Sequence, residues 1–519
     1  MRVCRSLLLP GALVFAVCSC TVGPEFDRPE VQTPASWAAD DLGAGERVLQ
    51  ESPRRQWWST FEDAELTRLM DEALRRNSDL AAARQRLREA RALIGVAESR
   101  LLPDLASGGQ YRRIRLSETL PVLDDFIDRG RIDRDQELFA GSFDASWEID
   151  LFGGSRRAVE AARAGADAAA EELRGVRVSL LAEVARNYFT LRGEQARVRA
   201  LRDLVGNEER ALELADEAQK SGLGAGARTQ RNEARVSEAA ARLPRAQAAV
   251  AASVIRLSVL IDRPVEDVWD ALREPRSLPA APDAVPVGLP GDLLRRRPDV
   301  RAAERRLRRA TAEVGVAVAD LYPKFHLTGD AGLAAGSFGS LFNAGSFTWS
   351  VGPSIRWPVF RGGEIRANIE ASEARLESAK IRYHQSVREA IGDAETALTR
   401  YGRAFQTREA LREAAMARRR EVELAKSAFA SGLAPSLEIV SARRRLIASR
   451  LAETEAEVAV LTALASLHKA LGGGWQTSTP ESGRPSEGRA SSNGADPTSQ
   501  PLNRELGTAR STTAAPAAE

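Results

Sequence analysis

Histidine is almost missing from this chain of 519 residues, which has only His326, His384 and His468. They are widely spaced, and the residues around them form neither a metal-ligand pattern nor a catalytic triad. Two glycine pairs, Gly153-Gly154 and Gly362-Gly363, follow predicted strands as a phosphate-binding loop would, but no Gly-Lys-Ser/Thr comes after either pair. The sequence therefore predicts a protein that is not an enzyme and that holds no metal ion.

Cysteine is equally scarce and is confined to the extreme N-terminus, at Cys4, Cys18 and Cys20. Two arginines precede the apolar run from Leu7 to Val17, which is too short to span a bilayer and is typical of a signal peptide. Cleavage before Cys20 would leave a single cysteine, so no disulfide could form within the mature chain. We therefore predict an exported protein whose signal peptide is residues 1–19.

The chain also lacks an excess charge, a rich supply of aromatic residues and a long apolar segment. With 74 basic and 72 acidic residues its net charge is +2, which indicates neither nucleic acid nor an anionic membrane surface as a partner. Aromatic residues make up only 5% of the chain, a shortage that long helices packed through alanine and leucine would explain. No run of about 18 apolar residues follows the signal peptide, so we predict no membrane-spanning helix.

The stretch from Ser346 to Arg366 joins two different periodicities. Between Phe347 and Val359 the odd positions are mostly apolar and the even ones mostly polar, which indicates a strand with one apolar face. Residues 364–430 then contain no proline and are rich in Ala, Glu, Arg and Leu. They predict one helix of about 100 Å, roughly three times the hydrocarbon thickness of a bilayer.

The same joint occurs earlier in the chain. Apolar and polar residues alternate between Phe143 and Leu151, and a second proline-free helix is predicted from Ser155 to Lys220. A returning helix follows each long one, and the first of these, Ala227 to Leu260, is interrupted at Pro244. The predicted strands cover about residues 104–116, 139–152, 323–335 and 346–360.

Matching landmarks indicate that these elements form an internal repeat. Asn77-Ser78-Asp79-Leu80 matches Arg297-Pro298-Asp299-Val300 at an offset of 220 in sequence number. Further along, Ser221-Gly222-Leu223 matches Ser431-Gly432-Leu433 at an offset of 210, and Phe152 matches Phe360 at 208. The predicted organisation is a tether (20–55), a first repeat (56–261), a linker (262–298), a second repeat (299–475) and a tail that is expected to be disordered (476–519).

Strand parity assigns the two faces of the predicted hairpins. We expect the apolar set to face lipid, namely Phe143, Trp147, Ile149, Phe347, Trp349 and Trp357. Glu148, Asp150 and Ser350 then face a lumen, although a soluble sandwich would show the same alternation. Four strands cannot close a barrel, and three copies would supply twelve strands with room for a lumen. The signal peptide and the long helices favour this trimeric barrel.

Several motifs together resemble the TolC-like outer membrane factors, in particular the lipoprotein branch that serves tripartite efflux systems. They include Cys20-Thr21-Val22-Gly23-Pro24, Trp57-Trp58, Arg297-Pro298-Asp299-Val300 and the run from Lys469 to Trp475. The resemblance covers essentially everything from Cys20 to Trp475. Val17-Cys18-Ser19-Cys20 resembles a bacterial lipobox, so Cys20 is expected to become a lipidated N-terminus, with no other cofactor.

The resemblance implies a mainly α protein with a membrane β-barrel: four strands per protomer in a twelve-stranded trimeric barrel, and long antiparallel helices in a periplasmic α-barrel. It implies a homotrimer in the bacterial outer membrane that works with a periplasmic adaptor and an inner-membrane RND-type transporter, and not with nucleic acid. The expected function is the exit duct for drugs or other small toxic compounds. Two alternatives stay open: a type I protein secretion component, and a lipid-anchored periplasmic coiled-coil scaffold without a channel.

The resemblance also points to a gate at the periplasmic tip. Similar lipoproteins commonly carry a Leu and, four residues later, an Asp on the returning helix, and the corresponding residues here are Leu437 and Ser441. The apolar ring is kept and the acidic ring is lost, while Glu438 could supply charge nearby. At the other tip Arg228 falls where acidic residues are common, and we expect it to pair with Glu438. Each of these residues could equally be a solvated hairpin residue.

Overall fold

A computed structural model describes residues 21–38, 48–49, 51, 54, 56–117, 133–222, 226–282 and 284–475. Cys20, the centre of the loop after the first strand of the sheet, and the predicted tail lie outside these residues. The helices are α1 (Ala64–Arg76), α2 (Ser78–Ser99), α3 (Gly154–Lys220), α4 (Gly226–Ile261), α5 (Val265–Leu272), α6 (Leu293–Arg296), α7 (Pro298–Ala319), α8 (Glu364–Ala430) and α9 (Ser436–Ala470). The strands are β1 (Val48–Leu49), β2 (Asp104–Arg115), β3 (Asp135–Ile149), β4 (Val285–Pro286), β5 (Lys324–Ala335) and β6 (Phe347–Arg356).

The two long helices, α3 and α8, are each 67 residues long, which corresponds to about 100 Å. Both were predicted to within one residue at either end. Gly153 and Gly363 precede them with φ angles of 80° and 89°, a left-handed conformation that glycine adopts without strain. The chain can therefore leave a strand and enter a helix within a few residues.

Each long helix pairs with its returning helix, and α9 also packs on α3, so the two hairpins are joined along their length. The two helices approach closely at Gly193 of α3, where an added Cβ would overlap Val458 Cγ2 on α9. A side chain at Gly193 would force the two helices apart. The two hairpins thus form one layer of packed helices rather than two independent coiled coils.

The sheet is antiparallel, with the strand order β2-β3-β5-β6. Phe143 lies opposite Ala331, and Ala331 lies opposite Trp349, so odd-numbered residues share one face and even-numbered residues share the other. The predicted alternation is confirmed, and β3 begins four residues earlier than expected.

Two details of the strand prediction are wrong. Trp357 lies one residue beyond β6, and Asp150 lies beyond β3, where its carboxylate accepts hydrogen bonds from the backbone N–H groups of Ser155 and Arg156.

The repeat is visible in matched hydrogen bonds. Asn77 Nδ2 donates to the Leu260 carbonyl at 3.0 Å, and Arg297 Nη1 donates to the Ala470 carbonyl at 3.1 Å. Trp147 Nε1 donates to the Leu101 carbonyl at 3.0 Å, and Trp357 Nε1 donates to the Leu321 carbonyl at 3.1 Å. Every donor and acceptor follows the offset of 220 before the hairpin loop and the offset of 210 after it.

These offsets correct one predicted landmark. The strand registers require a shift of 210 from β3 to β6, so the counterpart of Phe152 is Gly362 and not Phe360. Phe152 stacks instead on Tyr322, with ring centroids 4.6 Å apart. The ten residues by which 220 exceeds 210 belong to the loop between β2 and β3.

Two other expectations need correction, and a third, that no helix spans a membrane, has to be compared with the composition of α4. The helix α4 runs through Pro244 without interruption, because the proline ring lies on an exposed side of the helix where water can satisfy the freed carbonyl. The linker is not only a connection: it contains α5 and also β4, which pairs with β1 in parallel. Finally, α4 contains 18 residues that are apolar enough, by length and composition alone, to cross a membrane. We assign α4 to the helical layer because it packs along α3.

Candidate channel wall and gate

The sheet has an apolar face that nothing in the described chain covers. Phe143, Phe347, Trp349 and Val351 project from it, and Trp349 is 66% exposed. The opposite face carries polar side chains, among them Ser350, which donates a hydrogen bond to Asp330 on the neighbouring strand. A large exposed apolar surface marks an interface with lipid or protein. One polar face and one bare apolar face are what a barrel wall between water and lipid requires.

Both edges of this sheet are open. Among the residues that the structure describes, β2 and β6 each have a neighbouring strand on one side only. An open edge leaves a row of backbone N–H and C=O groups without partners, which hydrocarbon does not tolerate. The four strands of one chain therefore cannot form a membrane wall alone.

The N-terminal segment, residues 21–38, packs against the described helices and against the joint between β3 and α3. The Val22 N–H donates to the Phe152 carbonyl at 3.1 Å, and Thr21 lies so close to Gly153 that an added Cβ would meet its Cγ2 at 2.7 Å. Further along, Trp37 is buried and its Nε1 donates to the Gly288 carbonyl at 2.8 Å. Thr21, the first described residue, therefore lies at the joint between β3 and α3.

The predicted gate residues lie at the far end of the long helices. Leu437 and Ser441 are half-buried in the first two turns of α9, and Glu438 is exposed. Arg445 Nη2 donates to Glu438 Oε1 at 3.1 Å, so this carboxylate already has a partner on its own helix. Arg228 is exposed near the start of α4 and has no ion pair among the residues that the structure describes. The predicted pair between Arg228 and Glu438 is therefore not formed within one chain.

The sides of α9 that contact other helices can be assigned from its bonds. Asn207 Nδ2 of α3 donates to the Val440 carbonyl at 3.1 Å, and Arg444 makes two bonds of 2.5 and 2.7 Å to the Glu208 carboxylate. Ala442 and Leu446 pack instead against Val422 and Ala425 of α8. At 100° per residue, Leu437 and Ser441 fall between these two contact sides. They lie on a side of α9 that neither neighbouring helix fully covers.

The bond between Glu208 and Arg444 was not anticipated from the sequence. Glu208 is only 2% exposed, so its charge is almost completely withdrawn from water. Its two residues are 236 positions apart, and no periodicity in either helix distinguishes this pair from the many other charged residues. The bond joins the second hairpin to the first within one helical turn of Ser441 in the predicted gate.

A second ionic cluster holds α8 and α9 together near the tip. Glu421 of α8 accepts hydrogen bonds from Arg418 and from Arg445 of α9. These two guanidinium groups, first Arg418 and then Arg445, hold the pKa of Glu421 below its usual value. Within the described ranges, no group of three or more His, Cys, Asp or Glu residues could hold a metal ion.

Comparison with known proteins follows the same division of the chain. The sequence model of the outer membrane efflux protein family matches residues 69–262 and 289–473, and each range overlaps one of the two repeats. The chain belongs to this family. It is 29% identical to the outer membrane protein OprJ of Pseudomonas aeruginosa over 462 residues, which cover 88% of this chain and 93% of OprJ. It is 28% identical to the solvent efflux pump outer membrane protein SrpC of Pseudomonas putida over 480 residues, covering 91% and 98%.

Solved structures agree with this assignment. The outer-membrane channel OprN superposes with a TM-score of 0.79 at 32% identity, covering 88% of this chain and all of OprN. The CmeC outer membrane channel of Campylobacter jejuni gives the same TM-score at 23% identity, covers 89% of this chain and 96% of CmeC, and shows the shared fold. The chain is an outer membrane efflux protein with the TolC-like fold, and the expected family is confirmed.

Proposed function

We propose that three copies of this chain form the exit duct of a tripartite efflux pump. The observation that carries the proposal is the continuous joint between the sheet and the long helices. A sheet with one apolar and one polar face leads directly into helices of about 100 Å, which can reach deep into the periplasm. The duct would conduct solutes passively, since the energy for export would come from an inner-membrane transporter coupled through an adaptor.

The transported compounds would be drugs, solvents or other small toxic molecules. The names of the relatives support this class, because SrpC is called a solvent efflux pump protein. They favour efflux over protein secretion. The proposed duct has no catalytic role.

The lipid anchor is also part of the proposal. Thr21 touches the joint between β3 and α3, so a lipid on the preceding residue, Cys20, would enter the bilayer at the periplasmic edge of the barrel. A single acyl chain gives only marginal membrane binding, so the anchor would assist a barrel that inserts by itself.

The central experiment is conductance of the purified protein in a planar lipid bilayer. Discrete channel openings by the oligomer are expected, whereas a lipid-anchored scaffold would leave the bilayer insulating. A deletion strain should become sensitive to small toxic compounds while its secreted proteins stay unchanged. Loss of a secreted protein with normal drug resistance would instead support the secretion alternative.

A further inference from the structure

The apolar face of the sheet ends in charged residues on the side away from the helices. In β3 the odd-numbered residues from Phe139 to Ile149 are uncharged, and so are the residues that lie opposite them across the sheet. The next odd-numbered residues of β3 are Glu137 and Asp135, which lie opposite Arg113 and Arg115 of β2. Charge therefore returns on this face in the two rows nearest the tip of the hairpin.

The length of the uncharged band matches the thickness of a membrane. From Ile149 to Phe139 the strand advances by ten residues, which is about 34 Å along its axis. A strand tilt of about 40° reduces this to about 26 Å, and the apolar band of membrane barrels is about 25 Å tall. Arg113 and Arg115 lie about 7 and 14 Å further along β2 than Tyr111, the residue opposite Phe139. This is the level of the lipid headgroups.

A row of aromatic rings marks the same boundary. The ring centroids of Tyr111 and Phe139 are 4.7 Å apart, those of Phe139 and Phe338 are 5.9 Å apart, and those of Phe338 and Phe342 are 6.0 Å apart. Phe338 and Phe342 are 62% and 73% exposed. Aromatic girdles of this kind lie at the interfaces of membrane barrels. The row places the limit of the hydrocarbon directly below Arg113, without reference to the length of the strands.

The two arginines keep their hydrogen-bond donors available. Arg113 Nη1 lies 3.9 Å from Glu137 Oε1, and Arg115 Nη1 lies 3.9 Å from Asp135 Oδ2. A hydrogen bond would join these atoms at about 2.7–3.2 Å. The arginine side chains are 62% and 66% exposed, and neither donates a hydrogen bond to any residue that the structure describes. Glu137 instead accepts a hydrogen bond from the Tyr111 hydroxyl at 3.2 Å.

Exposed guanidinium groups at the level of the headgroups suit a phosphate ligand. A guanidinium binds phosphate oxygens through paired N–H groups, and basic residues beside a bilayer bind phosphorylated headgroups. The helices leave the sheet at its other end and extend into the periplasm in the proposed duct, so this end faces the outer leaflet. The outer leaflet of such a membrane is rich in lipopolysaccharide, whose lipid A carries phosphate groups directly above its acyl chains.

We infer that Arg113 and Arg115 bind the phosphate groups of lipid A, while the aromatic row contacts its acyl chains. The inference rests on the proposed duct, because it requires the odd-numbered face of the sheet to be turned towards lipid. Glu137 and Asp135 balance the charge of the two arginines, so the four side chains together carry no net charge. Recognition then depends on hydrogen bonds to phosphate and not on a general attraction for anions.

Lipid binding by the purified oligomer in detergent tests this surface. In titrations with lipid A followed by native mass spectrometry, Arg113→Gln combined with Arg115→Gln should weaken binding by at least about tenfold, because hydrogen bonds to a charged group are lost. Arg112→Gln is the matched control, since Arg112 is an exposed arginine of the same strand on the opposite face. It should bind lipid A like the unmutated protein. Glu137→Gln should bind more tightly, because a charge that repels phosphate is removed.

Several results would overturn the inference. Equal binding of dephosphorylated lipid A would show that phosphate is not recognised. Equal binding of phosphatidylglycerol would show that any lipid phosphate is sufficient. Unchanged binding by the double glutamine variant, or an equal loss in Arg112→Gln, would show that the two arginines of the odd-numbered face do not hold the lipid.

Assembly and conductance are measured on the same variants. If the double glutamine variant does not assemble, Arg113→Lys with Arg115→Lys keeps both charges but loses the paired geometry of the guanidinium groups. Weaker binding of lipid A by this variant would support the inference, and unchanged binding would contradict it. A conducting oligomer without a preference for lipid A would overturn the inference and leave the duct intact. An oligomer that binds lipid A through the two arginines but does not conduct would contradict the duct alone.

Discussion

Trp57 and His468 stack face to face, with their ring centroids 4.6 Å apart and an angle of 15° between the rings. The imidazole is buried, with 3% of the residue exposed, and this burial lowers its pKa to about 3. An exposed histidine in the unfolded chain has a pKa of about 6.5. Between these two values the unfolded chain binds a proton that the folded chain does not.

His468 should therefore make the folded protein sensitive to acid. The free energy of unfolding should fall as the pH drops below about 6.5, by up to about 1.4 kcal/mol per pH unit for each chain, until about pH 3. His468→Phe keeps the stacking but removes the titration, so its stability should depend less on pH. Denaturant unfolding followed by tryptophan fluorescence at several pH values measures the difference. Identical slopes for both proteins would contradict the assignment.

Strand parity predicts how lysine substitutions affect assembly. Trp349→Lys should cost about 2–4 kcal/mol if the residue faces lipid near the middle of the bilayer. Ser350→Lys, on the other face of the same strand, is the matched control and should assemble almost normally. The yield of heat-resistant oligomer in outer membranes compares them. Equal losses would show that the faces are assigned wrongly.

The gate prediction rests on Leu437. Three copies of this side chain around one axis would exclude water and ions, so Leu437→Ser should raise the resting conductance and sensitise cells to large antibiotics. Ser441→Ala should change little because the Ser441 side chain carries no charge. Leu433→Ser is a matched control, since Leu433 is an apolar residue of the same tip and is 83% exposed. Single-channel recordings in which Leu437→Ser resembles the unmutated protein would exclude this gate.

The bond between Glu208 and Arg444 should stabilise the tip strongly. Arg444→Met would leave a buried carboxylate without its partner, which typically costs about 3–5 kcal/mol. Arg443→Met removes an exposed neighbour and should change stability by less than about 0.5 kcal/mol. Glu208→Gln, introduced together with Arg444→Met, should recover part of the loss by removing the charge. Thermal unfolding of the unmutated protein, of Arg444→Met and Glu208→Gln singly and of the double variant measures the coupling, and additive effects would argue against it.

Lipidation of Cys20 predicts a specific mass for the mature N-terminus. Mass spectrometry should find the chain beginning at Cys20 with covalently attached lipid. Cys20→Ala should weaken retention in the membrane without abolishing the oligomer, because the barrel inserts through its own apolar face. An unmodified Cys20 in the mature protein would contradict this prediction.

The elements that follow strict patterns could be predicted from the sequence. The ends of α3 and α8 were found because a long run without proline stops at glycines, and the faces of β3 and β6 follow from alternation. Pro244 misled the prediction, since a proline on the exposed side of a helix that is already held by its neighbour need not break it. Phe152 misled it as well, because two residues of the same type do not establish an alignment.

Interactions between distant segments could not be predicted in this way. The contact between Gly193 and Val458, the buried pair of Glu208 and Arg444, and the stacking of Trp57 on His468 each join residues far apart in the chain. They depend on which sides of two helices meet, and this is decided by packing rather than by local periodicity. The gate residues stay predictions for the same reason, because packing between chains decides which side of α9 faces a neighbouring copy.

The ten additional residues between β2 and β3 have a consequence for how such a protein changes over evolution. Hairpin tips accept insertions because no ladder hydrogen bond has to shift, so this length difference leaves every strand register intact. The two repeats can thus keep one common wall while their outer loops differ. Around a ring of three chains, long and short loops would alternate. The surface shown to phages, antibodies and neighbouring cells would therefore have lower symmetry than the wall beneath it.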